Sequence, residues 1–195
     1  MQRLVLASTS RYRREMLVRL SIPFDAAAPE YEEEKGLDLP AEELVKHFAR
    51  AKARSLAHRY PDALIIGADQ APVLDGRILG KPGTEAAAVE QLTALAGRSH
   101  RLVTAVALFS PAQSRLVEEL DVARLQVRAL GRKEIRAYVK ADQPLDCAGS
   151  YKTEGLGVVL FEEIVAQDPT ALVGLPLLRL ARLLRSFGFE PLSHF

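Results

Sequence analysis

The sequence predicts an α/β protein. Short apolar runs that read as buried strands recur along the 195 residues, and segments with apolar residues at helical spacing stand between them. A third observation is the Asp75-Gly76 pair between VL and RIL, which marks a β-hairpin.

Arg3 to Ala7 (RLVLA) reads as the first strand. The hydroxyl-rich turn Ser8-Thr9-Ser10 follows, then a helix from about Arg11 to Leu20 with Ser10 as its N-cap. A strand, a small hydroxyl turn and a helix start make an anion site, because unpaired backbone N–H groups point outward there. Arg13 lies at the entrance of the apolar stripe Met16, Leu17, Leu20, so it either points into a crevice or snorkels over the helix end. Arg14 lies off the stripe and is expected in water. Phe24 to Ala27 is a candidate second strand, and 29–36 (PEYEEEKG) is an acidic loop in which one carboxylate suits a hard metal.

Pro40 opens a long helix to about Tyr60, with Glu42 and Glu43 in its first turn. Its inward face carries Val45, Phe48 and Leu56, and Lys52 falls between the last two. That makes Lys52 a second basic side chain expected to face the interior, with snorkelling as the alternative.

The chemistry is expected to centre on Leu64 to Lys81. Leu64-Ile65-Ile66 reads as a strand buried on both faces, with Asp69 and Gln70 at its end. A buried acid is costly unless paired, and a metal, a basic binding site or a structural ion pair each satisfies it. The hairpin arm runs out to Gly80-Lys81-Pro82, which returns Lys81 toward the strand end that bears Asp69. Gly76 to Lys81 is not a P-loop: it is one residue short and has proline where Ser or Thr must ligate Mg²⁺.

Thr84 is expected to cap a helix to about Leu95, ended by Gly97. Arg101 to Phe109 and Leu116 to Arg128 read as long strands joined by the turn Ser110-Pro111-Ala112-Gln113, and Gly131 to Ala141 as a short helix. A small-residue loop, 148–157 (AGSYKTEGLG), precedes an expected strand Val158 to Phe161. Pro176 opens the last helix, with Leu177, Leu180, Ala181 and Leu184 inward and Arg179, Arg182 and Arg185 toward water.

Composition bounds the partners. Hydrophobic residues make up 48% and charged residues 26%, and the net charge of +1 gives no global attraction to a nucleic acid polymer or an anionic membrane. Phosphate affinity must therefore be local. Cys147 is the only cysteine, which excludes an intrachain disulfide and zinc-ligand spacing. The N-terminal apolar run is too short for a signal peptide, and one cytoplasmic domain over residues 1–195 is expected.

LVLASTSRYRREML, PEYEEE, ARAKARSLA, IIGADQAPVLDGRILGKP and CAGSYKTEGLG stand in the order of the Maf family of nucleoside triphosphate pyrophosphatases, which the whole chain resembles. GADQ and CAGSYKTEG are similar to the branch acting on 7-methyl-GTP. The branch acting on dTTP and UTP tends to carry glutamine at the place of Glu154. The resemblance implies an elongated mixed sheet flanked by helices, with two lobes around a central cleft. It also implies a homodimer, a nucleoside triphosphate substrate and a divalent metal cation, Mg or Mn.

By position, Asp69 matches the proton acceptor and Tyr12, Gln70 and Glu154 the specificity positions. Ser8, Arg13, Lys52 and Lys81 match residues lining the triphosphate cleft, and Glu33, with Asp69, the metal-binding acids. The loop reads EEE, so Glu32 and Glu34 are alternatives to Glu33, and Arg11 stands where the family pattern has proline. The resemblance thus implies hydrolysis of the α–β phosphoanhydride, with UTP, CTP or dTTP as alternative nucleotides. A non-catalytic nucleotide-binding regulator of cell division is the reading from another class.

Overall fold

A computed structural model describes residues 2–34 and 36–194. The strands are β1 (Leu4–Ala7), β2 (Asp25–Ala27), β3 (Leu64–Leu74), β4 (Arg77–Ile78), β5 (Ser99–Ser110), β6 (Arg115–Val127) and β7 (Phe161–Val165). The helices are α1 (Arg11–Val18), α2 (Ala41–Ser55), α3 (Glu85–Leu95), α4 (Arg132–Asp142) and α5 (Leu177–Ser186). Strands pair in the order β2-β1-β3-β5-β6-β7, with β4 on β3. The sheet is mixed: β1 is parallel to β2 and β3, whereas β3–β4 and β6–β7 are antiparallel. The α/β expectation holds.

The chain divides into two compact units. The first comprises 1–70, 104–121 and 168–195. Its core packs Leu4 and Leu6 of β1, Leu64 and Ile66 of β3, Met16 and Leu17 of α1, and the inner face of α5. Ser10 caps α1 as expected, its hydroxyl accepting from Arg13 N, so Arg11 in the proline position leaves the helix start intact. On the other face of β3, Gly67 meets α2 so closely that a Cβ there would lie 2.1 Å from the Ala49 carbonyl oxygen. Asp69 shares that face of the pleat, which is what brings β3's acid to α2's lysine.

The second unit comprises 71–103 and 122–167. Asp75 and Gly76 both have positive φ, 50° and 78°, as a type I′ hairpin turn requires. Thr84 caps α3 by accepting from Ala87 N.

Three expectations are corrected. β3 continues to Leu74, so Asp69 and Gln70 lie within a strand instead of at its end; Pro72 removes one donor without ending the strand. The expected strand Val158 to Phe161 is instead a 3₁₀ turn, Leu156–Leu160, and the strand begins at Phe161. Gly157 is the reason, since its missing Cβ lets the chain pass against the Lys152 backbone, where a methyl would stand 2.3 Å from the carbonyl oxygen. Third, Arg179 does not face water. It pairs with Asp121 at 3.0 Å and Glu119 at 3.5 Å, because Asp121 is a buried acid that needs a cation.

Candidate active site

In the first unit, Lys52 Nζ lies 2.6 Å from Asp69 Oδ1 and 2.6 Å from Glu33 Oε1. Lys52 is buried at 8% exposure, in the middle of the α2 face formed by Val45, Phe48 and Leu56, so the inward alternative is the one realised. Burial raises Asp69 above the ordinary carboxylate range; Lys52 and Arg13 oppose the shift, and Glu33 adds to it. Arg13, half-buried, donates from Nε to the Gly174 carbonyl at 2.9 Å. Burial lowers its value while the fields of Asp69 and Glu33 hold it up. The four formal charges of Arg13, Lys52, Asp69 and Glu33 therefore cancel.

The acidic loop lies along α2 with opposite polarity. Glu30 N donates to Ser55 Oγ at 3.1 Å, Glu30 faces His58 at 3.4 Å, and Glu33 meets Lys52. Glu34 reaches His47 at 3.3 Å and accepts from the Tyr31 hydroxyl. Of the three consecutive glutamates, Glu33 is thus the one paired with the lysine that holds Asp69. Burial and the neighbouring glutamates push the Tyr31 phenol up to about 12.

The remaining positions of this unit are less buried. Ser8 Oγ accepts from Ser10 N at 3.1 Å, bracing the turn before α1. Tyr12 Oη accepts from Arg11 at 2.7 Å, and that guanidinium stands 4.7 Å from the ring centroid. Gln70 Nε2 donates to Thr104 Oγ1 at 2.9 Å and to the Ala171 carbonyl at 2.6 Å.

Lys81 and Glu154 belong to the second unit, and both are exposed. Their segments are joined there. Gly149 N donates to Gly80 O at 3.4 Å, Gly83 N to Leu145 O at 3.0 Å, and Gln91 of α3 clips the two together. Its Nε2 donates to Gly80 O at 3.0 Å, and its Oε1 accepts from Ser150 Oγ at 2.6 Å. Beneath the loop, His100 Nε2 is 2.8 Å from Tyr151 Oη, and both rings pack on Phe161. Burial lowers His100 to about 4 and raises Tyr151.

Sequence reasoning missed the 168–176 segment, Gln91 and Thr104. The first acts through carbonyl groups, at Ala171 and Gly174, and is folded by Asp168. The buried Asp168 carboxylate accepts from Thr170 N at 3.1 Å, Leu178 N at 2.8 Å and Arg179 N at 3.2 Å, capping α5. An aspartate followed by proline, a pair that opens helical turns, was the available signal.

The donor set fits a divalent cation. Two carboxylate oxygens, from Glu33 and Asp69, converge on one point that already holds a positive group, the Lys52 ammonium. Among the described residues no cluster of three or more His, Cys, Asp or Glu converges. The two carboxylates alone are a donor set of the kind a hard cation takes when phosphate and water complete its shell. Among the described residues no helix is long and apolar enough to cross a membrane.

A sequence model of the Maf-like proteins matches residues 3–187. The chain belongs to that family. Among its relatives, a "7-methyl-GTP pyrophosphatase" of Xanthomonas oryzae pv. oryzae is 52% identical over 97% of this chain and 99% of its own length. Proteins of the same name from Pseudomonas aeruginosa and Syntrophotalea carbinolica are 48% and 45% identical, over 96% and 99% of this chain and 97% and 98% of theirs. Among solved structures, the Ham1 protein of Staphylococcus aureus aligns with a TM-score of 0.48 at 16% identity, over 66% of this chain and 73% of that one.

Proposed function

We propose that this family member hydrolyses the α–β phosphoanhydride of 7-methyl-GTP, giving 7-methyl-GMP and pyrophosphate. Its full-length relatives named for that activity support the substrate. The observation that carries the chemistry is the half-buried Asp69, held by Lys52 and within the field of Arg13. A carboxylate with a raised pKa is a stronger base, and Asp69 takes the proton of the attacking water as the bond between the α phosphorus and the bridging oxygen breaks.

Arg13 and Lys52 hold phosphate oxygens and offset the charge that develops on the leaving pyrophosphate. Ser8 contributes a hydroxyl at the turn before α1, and Lys81 a further ammonium. Because the protein charges at Asp69 cancel, the polyanion needs more positive charge than this cluster carries. Glu33 and Asp69 would hold the divalent cation, which would offset phosphate charge and make water more acidic when bound. Glu154 accepts the N1–H and N2–H donors of the cationic 7-methylguanine, Tyr12 lays its ring on the base, and Gln70 contacts base or ribose. Tyr12 already holds the Arg11 cation on its ring, the same type of contact.

Pyrophosphate release across 7-methyl-GTP, GTP, UTP, CTP and dTTP, with and without Mg²⁺ or Mn²⁺, tests this reading. Metal-dependent release with 7-methyl-GTP preferred is expected. Preference for UTP, CTP or dTTP moves the substrate assignment, and binding without release in every arm overturns the enzyme reading. Glu154→Gln should shift the kcat/KM ratio from 7-methyl-GTP toward UTP; an unchanged ratio removes Glu154 as selector.

A further inference from the structure

Gln70 is the one specificity position whose amide is fully committed on one side. Both protons of its Nε2 are used, one by Thr104 Oγ1 at 2.9 Å and one by the Ala171 carbonyl at 2.6 Å. Thr104, buried at 1% exposure, sends its own hydroxyl proton to the same carbonyl at 3.2 Å, so its lone pair is what faces Gln70. Turning the amide over would place Oε1 against the Ala171 oxygen, acceptor on acceptor. The network therefore fixes which atom is which. Gln70 Oε1 is left as the outward group, and among the described residues it has no hydrogen-bond partner.

Its neighbourhood is equally specific. Gly174, at φ +97°, presents bare backbone from which a Cβ would stand 3.7 Å from Gln70 Oε1 and 3.5 Å from Arg13 Nε. The Gln70 carbonyl and the guanidinium of Arg13, the arginine assigned to phosphate, thus flank the same point of the Gly174 backbone.

We propose that Thr104 and the Ala171 carbonyl turn Gln70 into a dedicated hydrogen-bond acceptor, so that this position selects a nucleotide by an N–H or O–H donor and Thr104 is its positioning residue. The inference rests on the pyrophosphatase reading for its substrate but not for the amide lock itself. A glutamine left free to flip would accept from a donor or donate to an acceptor indifferently. The locked amide rejects a nucleotide that offers a lone pair at that point.

The test has two arms. In ¹⁵N-labelled protein the two Gln70 amide protons should resolve separately and exchange slowly. Thr104→Val should speed exchange of one of them roughly tenfold, and Thr104→Ser, which keeps the hydroxyl, should restore it. Equal exchange in all three proteins overturns the lock. In the kinetic arm, kcat and KM are measured for 7-methyl-GTP, for the analogue lacking the exocyclic amine, and for the 2′-deoxy and 3′-deoxy analogues. Wild type should penalise whichever lacks the donor that Gln70 reads, distinguishing base from ribose. Thr104→Val should shrink that penalty roughly tenfold through KM, and Thr104→Ser should bring it back. Identical penalties in wild type and Thr104→Val overturn Thr104's role in selection. Absence of pyrophosphate release by wild type from every nucleotide instead overturns the function, and the exchange arm still decides the lock.

Discussion

The two units solve one problem in opposite ways. Around Asp69 the chain sequesters charge and balances it, lysine against two carboxylates with an arginine nearby. Around Tyr151 it sequesters polar groups without charge: His100 stays neutral because burial drops it to about 4, and the phenol stays protonated. Balanced ions can be exchanged for a substrate's ions, so the first arrangement suits chemistry. A neutral hydrogen-bonded pair beneath aromatic packing has nothing to exchange, so it suits holding a loop in place.

Removing the proposed base gives the strongest break in that contrast. Asp69→Asn should lower turnover by about 10²–10⁴-fold with nucleotide affinity largely kept, measured as kcat against equilibrium binding. Near-normal turnover would place the exchangeable charge elsewhere.

Acid probes the neutral unit. His100 has its full stabilising effect above its unfolded value of 6.5, and that effect is lost as pH falls through 6.5 toward about 4, because the unfolded chain takes the proton first. The loss amounts to roughly 3 kcal/mol. It should appear as a falling urea midpoint in wild type that is muted in His100→Asn. Tyr151→Phe is a smaller change, costing about 1 kcal/mol at neutral pH through the lost hydrogen bond. If it leaves Asp69-dependent kcat intact while raising KM, the loop-holding role is sharpened.

The subtlest test returns to the charges. Glu33 raises Asp69, so Glu33→Gln should move the acidic limb of the kcat/KM profile to lower pH, and an upward move would reverse the sign of that coupling.

Much of this was legible in the sequence where side chains carry the signal. Ser10 and Thr84 announce their helices, Asp75-Gly76 its turn, and the spacing of Phe48, Lys52 and Leu56 an inward lysine. The resemblance matched Glu33 and left Glu32 and Glu34 as alternatives; the structure pairs Glu33 with Lys52. What escaped acts through groups that every residue possesses or that apolar context hides. The carbonyls of Ala171 and Gly174 have no sequence signature. Thr104 sits within the otherwise apolar run 102–109, and Gly67 gives no hint from its neighbours that a helix backbone lies against it. The apolar run Leu64-Ile65-Ile66 does not show how far β3 extends, because Gly67, Asp69 and Gln70 interrupt it within the strand.

The way the acidic loop lies along α2 has a kinetic consequence. Glu30 and Glu34 tether the chain on either side of Glu33, so that carboxylate can trade the Lys52 ammonium for another cation by turning its own torsions. Such rotations take picoseconds to nanoseconds. Glu33 can thus change partners on that timescale while the loop backbone stays where its neighbours hold it.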